Sequence, residues 1–324
     1  MTEGLATMAP SALVAAGQEL TVRVPATCAN LGPGFDSLGL ALSLYDSIRV
    51  RTTTSGTTVV TVSGEGAGEL PGDESHLVAR TLLGTLERCG YSCPGLEIEA
   101  LNVIPHGRGL GSSAAAIVSA VLAANSLLPA ADRMDAPALL QLCSTLEGHP
   151  DNVAPALLGS MAISWETGRA FQSTTVRVHP EVIPVVAVPG SELSTEAARA
   201  LLPASVSHHS ASSNAGRAAL LVHALGAAPE FLLDATRDSL HQDYRAQAMM
   251  PSATLMRGLR AQGYASVISG AGPTVMTLAV GEQQAAAVER LIEELTAAPD
   301  EPHGWRVLRL KVDTEGAKVE VHQR

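Results

Sequence analysis

Three glycines, each two residues from the next, stand immediately ahead of a run of small residues and constrain this chain more than any other feature. The segment reads Pro105-His-Gly-Arg-Gly-Leu-Gly-Ser-Ser-Ala-Ala115. Gly107, Gly109 and Gly111 admit positive φ and let the backbone come close to a ligand. A strand is predicted before the turn, over Gly95–Ile104, and a small-residue helix after it, over Ser112–Leu128. The first N–H groups of that helix have no partner inside it. Such groups, with glycines beside them, form a cradle suited to phosphate.

Three loop types compete for these residues. A Walker A loop needs a Lys before the Ser, and Gly111 stands there instead. The stretch Gly109-Leu-Gly111-Ser-Ser-Ala114 matches the dinucleotide pattern G-x-G-x-x-A. That pattern also needs an acid at the end of a second strand, and Asp132 falls between two predicted helices. A tight turn into a buried helix is the plain structural alternative.

Five further segments carry polar residues among turn formers. Val24-Pro-Ala-Thr-Cys-Ala-Asn-Leu-Gly-Pro-Gly-Phe-Asp36 sets Asn30 and Asp36 across a Gly-Pro-Gly bend. Asp36 can accept from a ligand ammonium and Asn30 can donate or accept, although each also suits an Asx-type turn. Glu147-Gly-His-Pro-Asp-Asn152 joins two predicted helices, where Asp151 can cap the second. His241-Gln-Asp-Tyr-Arg245 and Ser213-Asn-Ala-Gly-Arg217 each end on an arginine, which by itself reads as a solvated side chain. Ser269-Gly-Ala-Gly-Pro-Thr274 lies between two predicted strands and suits a Gly-rich hairpin.

Composition narrows the partners. The formal net charge is −11 and no Lys/Arg cluster occurs, which argues against nucleic acid and anionic membranes. No run approaches the ~20 apolar residues of a membrane helix. Cys28, Cys89, Cys93 and Cys143 are scattered and suit reduced thiols in a cytoplasmic protein. The 324 residues suggest two domains. Residues 1–19 read as a flexible extension, with domains over 20–170 and 171–324. In the second half the order β-helix-helix-β-β-α-β indicates an α+β layer.

The glycine loop resembles the ATP-binding motif of the GHMP kinases, small-molecule kinases of sugars, mevalonate and homoserine. The segments around Asn30 and Asp36, Glu147 to Asn152, Ser213 to Arg217 and His241 to Arg245 are similar to those of the homoserine kinase family in particular, and Ser269 to Thr274 is similar to the third motif of the GHMP kinases. The resemblance implies a two-domain α+β GHMP kinase fold, with an N-terminal nucleotide-binding domain, a C-terminal ferredoxin-like α/β sandwich and the site between them. It implies ATP-dependent phosphorylation of the side-chain hydroxyl of L-homoserine, on the route to threonine. ATP is then held by Pro105, His106, Gly107, Arg108, Gly109, Leu110, Gly111, Ser112, Ser113, Ala114 and Ala115. Ser113 and Glu147 are the implied Mg²⁺ ligands, since such a cation takes one or two protein oxygens besides phosphates and water. Asn30, Asp36, His149, Arg245 and, second to it, Arg217 are the implied amino-acid contacts. Asn152 stands where the mevalonate and galactose branch places an Asp base. An amide cannot take up a proton as a carboxylate does, so positioning has to supply the catalysis. A homodimer is a further family expectation. Another GHMP kinase, or a regulator that has lost catalysis, are the alternatives.

Overall fold

A computed structural model describes residues 12–297 and 304–322. The chain opens with β1 (Ala12–Leu13), β2 (Glu19–Ala29), β3 (Leu38–Thr52) and β4 (Thr58–Gly64). Helix α1 (Leu77–Arg88), β5 (Tyr91–Ser92) and β6 (Leu96–Asn102) follow. Then come α2 (Ser112–Leu127), α3 (Ala136–Glu147), α4 (Pro150–Leu158) and the hairpin β7 (Met161–Thr167) and β8 (Ala170–Val176). All but β1 and β5, which pair apart, build one sheet in the order β2-β3-β6-β4, with β7 paired to β3 and β8 to β7. All its pairs are antiparallel except β4 with β6, whose crossover is α1. In β6 the alternation is clean: Leu96, Ile98 and Ala100 are buried, and Glu97 and Glu99 are exposed. That pattern marks a sheet with one face on a core and the other in water. The covered face carries the helices, including α2, whose small residues let it lie deep: Ala114, Ala115, Val118 and Ala120 through Ala124, Leu122 apart, are buried.

The second half runs β9 (Val182–Pro189), α5 (Thr195–Ala200), α6 (His208–Gly226), α7 (Leu232–Ala235), α8 (Gln242–Arg245) and α9 (Met250–Ala261). It continues with β10 (Ala265–Ile268), β11 (Val275–Val280), α10 (Gly281–Thr296) and β12 (Trp305–Arg309). The sheet order is β10-β11-β9-β12, antiparallel throughout. A βαββαβ chain with its strands ordered 4-1-3-2 is the ferredoxin-like arrangement. Its strands β9, β10 and β11 are buried on both faces. Val186 and Met276 join the main core, whereas Val185, Ala187 and Val275 pack with Val288 and Ile292 of α10. Burial on two faces explains why β9 reads as a nearly continuous apolar run.

Three expected boundaries shift. Residues 12–19 are not loose: β1 pairs with β5 and Val14 is buried. Residues 1–11 of the expected extension lie outside the described residues. The β8 strand belongs to the first sheet, so the chain passes to the second between Val176 and Val182. A final strand, β13 (Lys318–His322), returns to pair with β2. Its Lys-Val-Glu-Val-His sequence alternates polar and apolar, but five residues are a short signal, and its place depends on the partner edge.

Candidate active site

The glycine loop sits where the two sheets meet. Gly107, Gly109 and Gly111 have φ of 62°, 74° and 71°. Two of them are also sterically required. A Cβ on Gly109 would lie 2.2 Å from the Ser269 carbonyl oxygen, and one on Gly111 would lie 2.0 Å from Thr27 Oγ1. The loop is held from both sides. Thr27 N–H donates to Leu110 O at 3.0 Å, and Ser269 Oγ donates to Gly109 O at 2.6 Å. The Ser269–Thr274 turn is therefore a clamp on the loop. Arg108 turns away from the loop's open side: it donates to Pro189 O, Gly190 O and His106 O and pairs with Glu192. Its guanidinium shapes the loop and is not offered to a phosphate. Gly111, in left-handed conformation, precedes α2, whose start has no side-chain cap. The first N–H groups of α2 are thus left for an anion.

Two cavities meet at this helix start. One is an apolar cavity of about 210 Å³ lined by Ile48, Leu70, Leu77, Val78 and Ala116, with Ser112 and Ser113 at its edge. The other is an open polar cleft of about 710 Å³ lined by Asp36, Ser113, Glu147, His149, Trp165 and Arg199. Ser113 borders both. A small recess beside the cleft, about 30 Å³, is lined by Asn30, Asp36, His149, Asn152, Arg199 and Arg245 among others. Six residues singled out from the sequence (Asn30, Asp36, Glu147, His149, Asn152 and Arg245) thus lie on connected walls.

Ser113 Oγ donates to Glu147 Oε2 at 2.8 Å, from the first turn of α2 to the last residue of α3. Burial pushes the Glu147 carboxyl above the usual range, against the Ser113 hydrogen bond and the charge of His149. Two residues on, His149 Nδ1–H donates to the buried Asp151 at 2.6 Å. Burial alone would lower the His149 pKa, but the hydrogen bond and charge of Asp151, with Glu147, raise it. Asn152 Oδ1 accepts from Thr27 Oγ1 at 2.8 Å, which fixes its amide and leaves Nδ2 as a donor. A Cβ on Gly111 would stand 3.1 Å from that same Oδ1, so Asn152 adjoins the end of the loop.

Arg245 is the largest fully buried side chain. It donates to Ala198 O at 3.2 Å, Gly270 O at 3.3 Å and His241 Nδ1 at 3.4 Å. His241 can accept because its Nε2–H is taken by Gly32 O at 2.8 Å. Among the described residues no carboxylate lies within ion-pair distance of Arg245, and burial lowers its pKa. A guanidinium stays charged even so, and a buried cation without a partner is costly until an anion arrives. Phe35 lies beneath it, with the Arg245 carbon 5.3 Å from the ring centroid.

The structure redistributes other roles. Both ends of the Asn30 amide are engaged, Nδ2 with Gly270 O at 2.9 Å and Oδ1 with Asp36 N–H at 3.0 Å. Asn30 is a bracket that sets Asp36, and both occupy the left-handed region at φ 68° and 56°. Arg217 is not brought to the cleft. Its Nη1 donates to Asp234 O at 2.8 Å and pairs with the Asp234 carboxylate. The residue of that segment which reaches the site's frame is Asn214, bonded to Pro33 O and Ser239 N–H. The second cleft arginine is Arg199, which grips Asp36 with two N–H groups at 2.6 and 3.1 Å. It sits on the short helix α5, capped by Ser194, and nothing in its spacing ties it to Asp36 in sequence. Thr27 was equally hidden, although it stands inside the motif that contains Asn30. Among the described residues no cluster of three His, Cys, Asp or Glu groups could hold a metal by itself, and no helix is long and apolar enough to cross a membrane.

Residues 76–160 match the family model described as the GHMP kinases N terminal domain. Over 308 residues the chain is 48% identical to the homoserine kinase of Clavibacter michiganensis, covering 95% of this chain and 96% of that one. It is 51% identical over 299 residues to the homoserine kinase of Streptomyces avermitilis, covering 92% and 94%. Among solved structures it is similar to homoserine kinase from Cytophaga hutchinsonii, with a TM-score of 0.83, 28% identity and 93% and 97% of the two chains covered.

Proposed function

Because the chain belongs to the homoserine kinase family of GHMP kinases, we propose that its cleft transfers the γ-phosphoryl group of ATP to the side-chain hydroxyl of L-homoserine. O-phospho-L-homoserine and ADP are the products, on the route to threonine. The observation that carries this reading is the position of Ser113, at a helix start open to an anion and bordering both an apolar and a polar cavity. The base occupies the apolar cavity, the phosphates lie over the glycine loop and the first N–H groups of α2, and the amino acid lies in the polar cleft.

The amino acid meets opposite charges at its two ends. Its carboxylate goes to the buried Arg245, assisted by Arg199, and its ammonium to Asp36. A planar guanidinium engages both carboxylate oxygens, and a carboxylate accepts from an ammonium. His149, held by Asp151, and the Asn152 Nδ2 donor then border the hydroxyl's path to the loop. Phosphoryl transfer passes through a loose transition state, so orientation and charge stabilisation can replace a strong base.

The donor set also fits Mg²⁺. Glu147 is a carboxylate that burial makes reluctant to ionise without a cation, and Ser113 Oγ stands 2.8 Å away. Two protein oxygens are what a cation shared with a nucleotide requires. When bound, Mg²⁺ neutralises charge on the phosphates. The four cysteines are free, in keeping with a cytoplasmic enzyme. We include a homodimer in the proposal, to be measured by light scattering.

Coupled ADP release with Mg·ATP tests the reaction, with L-homoserine compared against mevalonate, galactose, L-serine, L-threonine and no acceptor. Turnover on homoserine well above every other acceptor is expected. Equal turnover on mevalonate or galactose would overturn the choice of substrate, and ATP binding without turnover on any acceptor would point to a regulator.

A further inference from the structure

Arg108 stands inside the glycine loop, and its guanidinium reaches across to the end of β9. Nε donates to Pro189 O at 3.1 Å and Nη2 to Gly190 O at 2.9 Å, while Nη1 bonds Glu192 Oε1 at 3.0 Å and the loop's own His106 O at 2.7 Å. Leu193 N–H donates to Gly107 O at 3.0 Å. The turn that leaves β9 is thereby fastened to the loop.

Helix α5 follows this turn directly. Of its residues only Ala198 is buried, so little apolar packing fixes it. A helix of two turns or fewer does not hold itself in water. Its place is set by the chain before it and by polar bonds at its far end. Ala198 O accepts from Arg245 Nε at 3.2 Å, and Arg199 grips Asp36. Ahead of the helix, Leu193 is partly buried against the core that holds Val185 and Val275. Contacts thus run without a break from the loop to the residues of the polar cleft.

We propose that Arg108 is a positioning residue for the amino acid: by holding residues 189–192 it sets α5, and with it Arg199 and the carbonyl that Arg245 binds. This rests on the reading above that places the amino acid in the polar cleft. The loop does not depend on the same bonds. It keeps its clamps from Thr27 and Ser269, and Thr274 N–H donates to Arg108 O at 3.3 Å. Loss of the guanidinium should therefore fall on homoserine and not on the nucleotide. Its planar fork reaches Pro189 O and Gly190 O together, whereas an ammonium is a point charge. Lysine would replace a charge aimed at a phosphate, but it cannot replace this fork.

Arg108→Met, Arg108→Lys, Glu192→Gln, Arg199→Met and the double variant Arg108→Met/Arg199→Met test this. Titration calorimetry gives the affinity for Mg·AMP-PNP, and steady-state rates give KM for homoserine and for ATP. Arg108→Met should raise KM for homoserine about tenfold, the scale of a lost charged hydrogen bond, with KM for ATP and AMP-PNP affinity within about threefold of wild type. Arg108→Lys should still raise KM for homoserine at least about threefold. Glu192→Gln removes only an exposed ion pair and should leave both constants near wild type. Beside Arg199→Met, the effect of Arg108→Met should shrink below about threefold, because both act through α5. A general loss of stability would not depend on Arg199. AMP-PNP affinity weakened in Arg108→Met and restored by Lys would make Arg108 a phosphate contact and overturn the proposal. An unchanged KM for homoserine would also overturn it, as would a tenfold effect that persists beside Arg199→Met. If Arg108→Met fails to fold, Arg108→Lys decides by the same constants. A wild type that binds AMP-PNP but does not turn over homoserine would overturn the reading of the acceptor, and the proposal would fall with it.

Discussion

The Ser113 hydroxyl and the Glu147 carboxylate are 34 residues apart in sequence and 2.8 Å apart in space. One opens α2 beside the glycine loop, and the other closes α3 just before His149. The bond joins the phosphate cradle to the wall of the polar cleft, and it puts two oxygens where a nucleotide-bound cation would sit.

Removing the carboxylate should therefore change the cation requirement before it changes homoserine binding. Glu147→Gln is expected to lower kcat by about 10²-fold or more and to raise the Mg²⁺ concentration needed for half-maximal rate. Ser113→Ala should act in the same direction by about tenfold. Steady-state rates over a Mg²⁺ series at fixed ATP measure both. Unaltered Mg²⁺ dependence in Glu147→Gln would remove it from the ligand set.

Among the described residues no carboxylate lies within ion-pair distance of the buried Arg245, so its loss should fall on the amino acid. Arg245→Ala is expected to raise KM for homoserine by about 10²-fold, the scale of a truncated buried charge pair, with KM for ATP within about threefold of wild type. Arg217→Ala, whose partner is Asp234, should leave both constants near wild type. Equal effects of Arg245→Ala on both substrates would reassign it to structure.

The pH dependence follows from two raised pKa values. Glu147 and His149 both hold a proton more tightly in the folded state than when free. Each therefore stabilises the ligand-free protein below its unfolded pKa, and the contribution is lost as the pH rises through the folded value. Glu147→Gln should flatten the acid part of a plot of Tm against pH, and His149→Asn the part near neutrality. Mg²⁺ needs the ionised carboxylate, so half-saturation should demand more Mg²⁺ as the pH falls, and in the wild type this rise should begin at a higher pH than an ordinary carboxylate would give. A Mg²⁺ requirement whose pH dependence is the same in Glu147→Gln as in the wild type would contradict the role of the Glu147 carboxylate.

Two glycines with positive φ separate strain from collision. Gly148, at φ 92°, ends α3 with nothing near a potential Cβ, so Gly148→Ala should cost about 1–2 kcal/mol. Gly109→Ala would place its Cβ 2.2 Å from the Ser269 carbonyl oxygen, and a loss above about 3 kcal/mol, or failure to fold, is expected. Urea unfolding of the two variants makes the comparison.

Local chemistry was legible where one stretch of chain carries a whole feature. The glycine loop, the helix after it and the alternation of β6 could be read from adjacent residues, because φ, capping and side-chain alternation are set within a few positions. The Glu147–Asn152 string was legible for the same reason, with Asp151 seen as a cap and found as the partner of His149.

What the sequence could not carry was any choice between residues far apart. Arg217 and Arg245 stand in similar polar surroundings in the chain, yet one pairs with Asp234 and the other is buried beside Gly270. Arg199 belongs to the cleft only because α5 comes to lie against Asp36, which is 163 residues away. Asn30 also has a backbone partner at each end of its amide, Gly270 O and Asp36 N–H, contributed by segments that its own sequence does not name. The short β13 strand needed the open edge of β2 to become a strand at all. Sequence thus determined which segments turn, cap and bury, since those are decided by neighbouring backbone and side-chain geometry. Tertiary structure decided which polar groups are satisfied by the fold and which are left for ligands, since that depends on partners brought together only when the two sheets pack.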